Sequence, residues 1–249
     1  VKRKNKLKGI VNGIDIDEWS PQKDALIPYH FSMGRMAGKA KLKEEIQKQF
    51  NLPVRADVPL FAMISRLASQ KGFDAVLLCL DDMLKQMDIQ FIIIGTGDSA
   101  IENKLKEIAE KNENLSVNIL FSNKAAHLVE AGSDFFLMPS RYEPCGLNQL
   151  YSLRYGTIPI ARRTGGLADT IIDIDEGQGT GLLFDELNAY EIVRNIHRAT
   201  EIFKTKDGDN SLQNIRKRAM KCDFSWSASA DEYINVYKKL IDKKLGGKK

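Results

Sequence analysis

The chain has 249 residues, 43% of them hydrophobic and 28% charged, enough for one large domain with a buried core and unlike a disordered or fibrous sequence. No run of roughly 18 or more apolar residues suggests a membrane span, and the short apolar stretch in the opening VKRKNKLKGIVNGID breaks at Asn12 and Gly13, unlike a signal peptide. The net charge of +4 is held at the ends: residues 1–8 carry five Lys/Arg and residues 243–249 four, leaving 28 basic against 33 acidic side chains between them, a balance of −5 that argues against a nucleic-acid-binding surface.

The opening segment, 1–58, reads as loop-rich with one helix over 38–50, and belongs to the same domain as residues 59–224. From residue 59 short β-branched runs alternate with periodic helical stretches. In chain order the pattern predicts a strand at 59–65, a helix at 73–87, a strand at 89–95, a helix at 99–112, and a strand at 115–121. A helix at 125–132, a strand at 134–140, a helix at 146–156 and strands at 157–162 and 181–185 complete the series. Runs such as FIIIG are apolar at successive positions, as strands buried on both faces of a parallel sheet require. The expected fold is therefore α/β, a Rossmann-like doubly wound parallel sheet over 59–224. Helices at 187–204, 211–221 and 228–245 come after the last strand, with no further strand to cross over to. Cys79, Cys145 and Cys222 form neither a disulfide framework nor a CxxC zinc site; Cys79 and Cys222 are expected as buried free thiols, in a reducing compartment.

Ligands of a doubly wound sheet bind at the carboxyl ends of its strands, so the turns there carry the functional reading. Ser65–Gly72 holds Arg66 and Lys71, two cations five residues apart that can converge on a diphosphate, or can simply be solvated. Gly95-Thr96-Gly97-Asp98 lacks the full dinucleotide fingerprint, and a tight turn needing φ > 0 explains its glycines equally well. In PSRYEPCGLNQL (139–150) a strand ends, Glu143 appears, and a helix begins near Gly146. Backbone N–H groups at Cys145, Gly146 and Leu147 would point outward there, a site for a phosphate. Glu143 is placed to accept hydrogen bonds from sugar hydroxyls, and a carboxylate at a helix N-terminus is also favoured by about 0.3–1 kcal/mol for the macrodipole alone. The paired glycines of RRTGGLAD (162–169) either approach a ligand or form a tight turn.

The run PSRYEPCGLNQLYSLRYGTIPIARRTGGLADTI closely resembles the signature of bacterial glycogen synthases and plant starch synthases, and VNGIDIDEWSP, PLFAMISRLASQKGFD and AMKCDFSW extend the resemblance over about residues 9–240. It implies the C-terminal half of a GT-B glycosyltransferase, which moves glucose with retention from ADP-glucose, or UDP-glucose in some relatives, to the non-reducing end of an α-1,4-glucan. It implies that Arg66 and Lys71 hold the donor diphosphate and that Glu143 contacts the donor glucose and serves catalysis. Asn12 would lie near the glucose, and the backbone of Cys145, Gly146 and Leu147 would meet the distal phosphate. Phe121 maps to the aromatic that covers the adenine, and is equally readable as a core aromatic ending a buried strand. No metal and no cofactor beyond the donor is implied, and no membrane or nucleic-acid partner; the location would be cytoplasmic in a bacterium and plastidic in a plant.

Three departures qualify the transfer. Tyr151 stands eight residues after Glu143, where many retaining GT-B enzymes carry a second glutamate; Phe121 replaces a frequent tyrosine; and the family's N-terminal KTGGL loop and active-site histidine are absent from the sequence. His30, His127 and His197 offer no replacement. Residues 225–249 are expected to cross to the N-terminal domain, which also supplies most of the acceptor groove, with Tyr233, Ile234, Val236 and Tyr237 exposed.

Overall fold

The computed structural model describes residues 7–246, so most of the basic termini read from the sequence lie outside the described residues. Helix α1 (Ala37–Gln49) precedes strand β1 (Leu60–Ile64), helices α2 (Phe73–Leu77) and α3 (Leu80–Gln86), and strand β2 (Gln90–Ile94). Next come α4 (Ser99–Ala109), β3 (Leu115–Asn118), α5 (Asn123–Gly132), β4 (Phe135–Met138) and α6 (Asn148–Tyr155). Strand β5 (Ile158–Arg162), the short α7 (Gly165–Thr170), β6 (Leu182–Phe184), α8 (Ala189–Lys204), α9 (Leu212–Ala219) and α10 (Trp226–Gly246) complete the chain.

The six strands pair in parallel in the order β3-β2-β1-β4-β5-β6. Period-two alternation divides the core between the two faces of the sheet. Phe61, Met63, Phe91, Ile93, Phe135 and Leu137 face α2, α3, α8 and α9, while Leu60, Ala62, Ile92, Ile94, Phe136 and Met138 face α1 and α5. Register places Phe61 opposite both Phe91 and Phe135, and their rings stack across three strands at centroid distances of 5.7 and 5.1 Å. The opening segment contributes Trp19, Ile27 and Phe31 to the second face and hydrogen-bonds, through Ile14 N, to the carbonyl of Phe224 at 2.8 Å.

Several expected elements differ at their ends, α4 closing at Ala109 and β4 spanning only Phe135–Met138, and two differences have a clear physical cause. The helix predicted over 73–87 is interrupted between Leu77 and Leu80: the Cys79 thiol engages the Ala75 and Val76 carbonyls while its own N–H bonds Val76 O, a tighter i−3 contact. Strand β3 stops at Asn118 rather than 121, because its sole neighbour β2 ends at Ile94 and offers no further partner past Gly95. Cys79 is buried, and desolvation pushes its thiol up to about 11; Cys222, expected to be buried, is only half-buried, since it lies beyond the end of α9.

Between β1 and β4 the connections run in opposite directions along the sheet. The loops leaving the two strands diverge there and open a crevice at their carboxyl ends.

Candidate functional site

A cavity of about 500 Å³ occupies that crevice. Arg66 and Lys71 line it from the turn after β1, Gly95 and Thr96 from the turn after β2, Phe121 from beyond β3, and Ser140, Glu143, Gly146 and Leu147 from the loop after β4. The two turns singled out in the sequence are joined directly. The Arg141 N–H donates to Gln70 O at 2.8 Å, the Gln70 side-chain amide donates to Tyr142 O at 3.1 Å, and Arg66 donates to Gln70 Oε1 at 3.1 Å. Lys71 Nζ then meets Glu143 Oε2 at 2.5 Å, with Ser140 Oγ donating to the same oxygen at 3.3 Å.

Glu143 is 8% exposed, so its carboxylate is held largely out of bulk water with its cationic partner beside it. A buried carboxylate with one strong partner and an open cavity in front keeps acceptor capacity for a hydroxyl-bearing ligand. Arg141 faces away, paired with Asp74 and bonded to Ser69 O at 3.2 Å. Glu143 is therefore the carboxylate this loop offers to the cavity.

The stretch from Cys145 to Leu147 is built to keep backbone N–H groups free. Helix α6 begins at Asn148, two residues later than the sequence suggested, so Cys145, Gly146 and Leu147 belong to the approach to the helix. None of their N–H groups donates to another group among the described residues. Gly146 has φ +74°, a conformation that costs a side-chain-bearing residue steric energy, and this kink turns the chain into the helix. The loop is clamped from behind: the buried Gln149 amide donates to Cys145 O at 3.0 Å, Gly146 O at 3.2 Å and Thr170 Oγ1 at 3.3 Å. Asn148 ties the start of α6 to Ile64 O, the end of β1, at 2.6 Å.

The glycine pairs resolve as close-approach residues. A Cβ on Gly165 would fall 2.1 Å from Glu143 O, and one on Gly166 2.0 Å from Cys145 O. Neither glycine lines the cavity; both let α7 pack against the backbone of the 143–145 loop. In the 95–98 turn, Gly95 and Gly97 do not have positive φ, contrary to the turn explanation; a Cβ there would collide with Ser65 O at 1.9 Å and Leu67 O at 2.3 Å. Asp98 caps α4 by accepting from Ala100 N at 2.8 Å.

Phe121 is 95% exposed at the cavity mouth, which excludes the core-aromatic alternative. Asn12 and Cys145 stand beside the cavity rather than on its wall, joined by an N–H···S contact of 3.4 Å. Sequence reasoning missed Trp19, Gln149 and Asn148. Trp19 sits in the VNGIDIDEWSP run yet had no assigned task; it lines the cavity and stacks on Tyr151 at 3.6 Å and on His127 at 3.7 Å. His127 is fully buried behind it, with Nδ1 donating to Asp24 Oδ2 at 2.7 Å, and does not reach the cavity.

The family model for group 1 glycosyl transferases matches residues 43–220. A glycogen synthase of Streptococcus pneumoniae strain Hungary19A-6 is 43% identical over 240 residues, covering 95% of this chain and 50% of the relative. The catalytic domain of starch synthase IV from Arabidopsis thaliana, bound to ADP and acarbose, superposes with a TM-score of 0.86 at 31% identity, covering 94% of this chain and 49% of that one. Anabaena HepE in complex with UDP-glucose shares the fold, with a TM-score of 0.66 at 15% identity over 93% of this chain and 57% of that one. The chain spans about half the length of the first two relatives.

Proposed function

Because the chain belongs to the group 1 glycosyltransferases, we propose that it is the donor-binding half of a retaining glycogen or starch synthase that takes glucose from ADP-glucose. One observation carries this reading: the Lys71–Glu143 pair and the residues Gly146 and Leu147, whose N–H groups are free, line one cavity at the sheet's switch point, with Cys145 beside it and Phe121 exposed at its mouth. The starch synthase that superposes on the chain is bound to ADP, which favours ADP as the carrier; the HepE complexes hold UDP and UDP-glucose, so UDP-glucose is the alternative donor.

In this reading the donor diphosphate lies between Arg66, Lys71 and the N–H groups of Cys145, Gly146 and Leu147, and Phe121 covers the adenine. Glu143 accepts hydrogen bonds from the glucose, with Asn12 nearby. When the bond from glucose to phosphate breaks, negative charge grows on the leaving diphosphate. Cations and N–H groups already fixed in place stabilise that charge without reorganising. Lys71 leaves Glu143 in part to do so, freeing a carboxylate oxygen as the sugar arrives.

Residues 59–224 form the nucleotide-sugar domain, and the described part of 225–249, helix α10, packs across to an N-terminal domain that supplies the α-1,4-glucan acceptor groove; residues 247–249 lie outside the described residues. Tyr233, Ile234 and Tyr237 are exposed on α10 and Val236 is half-buried, which supports a docking face there. Turnover draws on this domain and the N-terminal one together, because positioning and charge stabilisation need both halves of the site. A cytoplasmic location in a bacterium, or a plastidic one in a plant, goes with this reading.

Calorimetric titration with ADP, ADP-glucose, UDP and UDP-glucose tests it. Binding of the adenine nucleotides, weakened at least about tenfold in Arg66→Ala and Lys71→Ala, is the expected result. Absence of any nucleotide binding, or binding indifferent to both substitutions, overturns the donor-site assignment.

A further inference from the structure

At the opposite edge of the sheet, where β1, β4 and β5 begin, lies a second cavity of about 590 Å³ that shares no lining residue with the first. Its polar wall comes from Lys39 and Lys43, one turn apart on α1, and from Arg216 on α9. All three are buried, at 3%, 7% and 7% exposure.

The charges there do not balance. Lys43 Nζ and Arg216 share one carboxylate, Asp134, at 2.7 Å each. Lys39 meets only neutral acceptors, Ala131 O at 2.9 Å and Thr157 Oγ1 at 2.7 Å. The other buried acid close by, Glu130, receives a hydrogen bond from Ser152 at 2.7 Å, and burial pushes its carboxyl up to about 8, so it is largely neutral near pH 7. Lys43 and Arg216 thus divide one firm counter-charge, and Lys39 beside them has no carboxylate partner among the described residues. Consistent with this, burial and the neighbouring Arg216 hold Lys39 well below the usual lysine range. Among the described residues no acceptor in the chain meets the second terminal nitrogen of Arg216. Around the opening, exposed Lys41 and Lys206 add positive charge, and Glu44 on the same wall is paired to Lys48 at 2.6 Å.

An uncompensated buried charge is costly, and an anion entering from solvent removes the cost. We infer that this cavity binds a small phosphate-bearing anion, held by Arg216 and Lys39 and drawn in by Lys41 and Lys206, while Lys43, which stays on Asp134 and Val58 O, adds positive charge behind them. A multiply charged tetrahedral oxyanion suits a guanidinium flanked by ammonium groups better than a single carboxylate does. Phe203, Leu212 and Val54 supply an apolar wall on which the organic part of a phosphate ester can rest.

The site is tested by NMR titration of the whole chain with inorganic phosphate and, separately, glucose 1-phosphate, at constant ionic strength. Three proteins are compared: the unaltered chain, Arg66→Ala/Lys71→Ala to disable the donor cavity, and the exposed double variant Lys41→Glu/Lys206→Glu. Saturable shifts at α1 and α9 are expected in the first two, with affinity at least about tenfold weaker in the third. The probe that binds tighter identifies whether free phosphate or an ester is the occupant. In parallel, Lys39→Met is expected to raise the melting temperature without added anion and to abolish the further rise that anion gives the unaltered chain. The inference is overturned if shifts are confined to the donor turns, if they vanish in Arg66→Ala/Lys71→Ala, or if charge reversal at Lys41 and Lys206 leaves the affinity unchanged.

Discussion

Gly166→Ala tests whether the glycine pair after β5 holds the 143–147 loop in place. A Cβ at Gly166 would lie 2.0 Å from Cys145 O and 2.6 Å from both Cys145 C and Cys145 Cα. These are backbone atoms, so no side chain can swing aside. Ordinary carbon–oxygen contact begins near 3.2 Å, so the loop must retreat by roughly an ångström. Three restraints oppose this: the Gln149 amide bonds to Cys145 O and Gly146 O, and the Gly166 N–H bond to Glu143 O at 2.9 Å. Forcing an extra methyl into such a contact costs about 1–3 kcal/mol, which at about 2–4 °C per kcal/mol for a chain of this size lowers the melting temperature by roughly 2–12 °C. Glu143 and the N–H groups of 145–147 move with the loop, and ADP affinity falls about tenfold, since misplacement by an ångström is enough to lose that much. Gly166 is the cleaner choice than Gly165, whose φ of +45° would add backbone strain. Gly9→Ala is the control, because nothing lies within 4 Å of its added Cβ. Scanning calorimetry and an ADP titration on the two variants check the argument. A lowered melting temperature with unchanged ADP affinity would refute the coupling of this packing to the site; no change in either would refute the collision itself.

The same geometry fixes three further outcomes. Phe121→Ala changes folding stability by less than about 0.5 kcal/mol, because the ring is almost wholly exposed, yet weakens ADP binding by about 1–3 kcal/mol if it stacks on the base; thermal melting and calorimetry separate the two effects. Gln149→Ala strips the clamp from Cys145 O and Gly146 O and costs about 1–3 kcal/mol per buried group left unpaired, seen as an earlier urea midpoint together with weaker ADP binding. Glu130→Gln alters the pH profile of stability. The folded carboxyl is raised to about 8 from its ordinary value of 4.5, so between these values the folded state holds the proton and the unfolded state does not. The Glu130 contribution is full below about pH 4.5 and is lost as pH rises through about 8, at up to about 1.4 kcal/mol per pH unit. Lys39, depressed by burial, contributes with the opposite slope in both proteins. The gain in melting temperature of Glu130→Gln over the unaltered chain should therefore grow from pH 6 to pH 8.5; a constant difference would show that Glu130 does not stay protonated on folding.

Local chemistry made much of the candidate site readable. Arg66, Lys71 and Glu143 stood out because charged residues in turns after apolar strands have no packing reason to be there. The residues that shape the site were harder to see. Gln149 and Asn148 act through backbone carbonyls that belong to other turns, and a side-chain amide in a helix carries no sign of which carbonyl it will meet. Trp19 looked like one aromatic in a loop-rich segment; its stacking between His127 and Tyr151 joins residues more than a hundred positions apart. The break between α2 and α3 was invisible for a related reason. No Gly or Pro marks it, and the competing thiol contact of Cys79 depends on how the segment packs.

The six strands, the burial of all but edge strand β3 on both faces, and the carboxyl-end turns were set by sequence alone, because hydrophobic period and turn chemistry act over a few residues. What only the tertiary structure decided is which turns meet. Reversal of strand order between β1 and β4 brings the turn at residue 71 against the loop at residue 143, and Lys71 onto Glu143 at 2.5 Å. The same topology gathers Lys43 and Arg216 onto one Asp134, with Lys39 beside them on the same cavity, at the other end of the strands. Charge balance is a property of three-dimensional neighbourhoods, and a net charge read along the chain does not contain it.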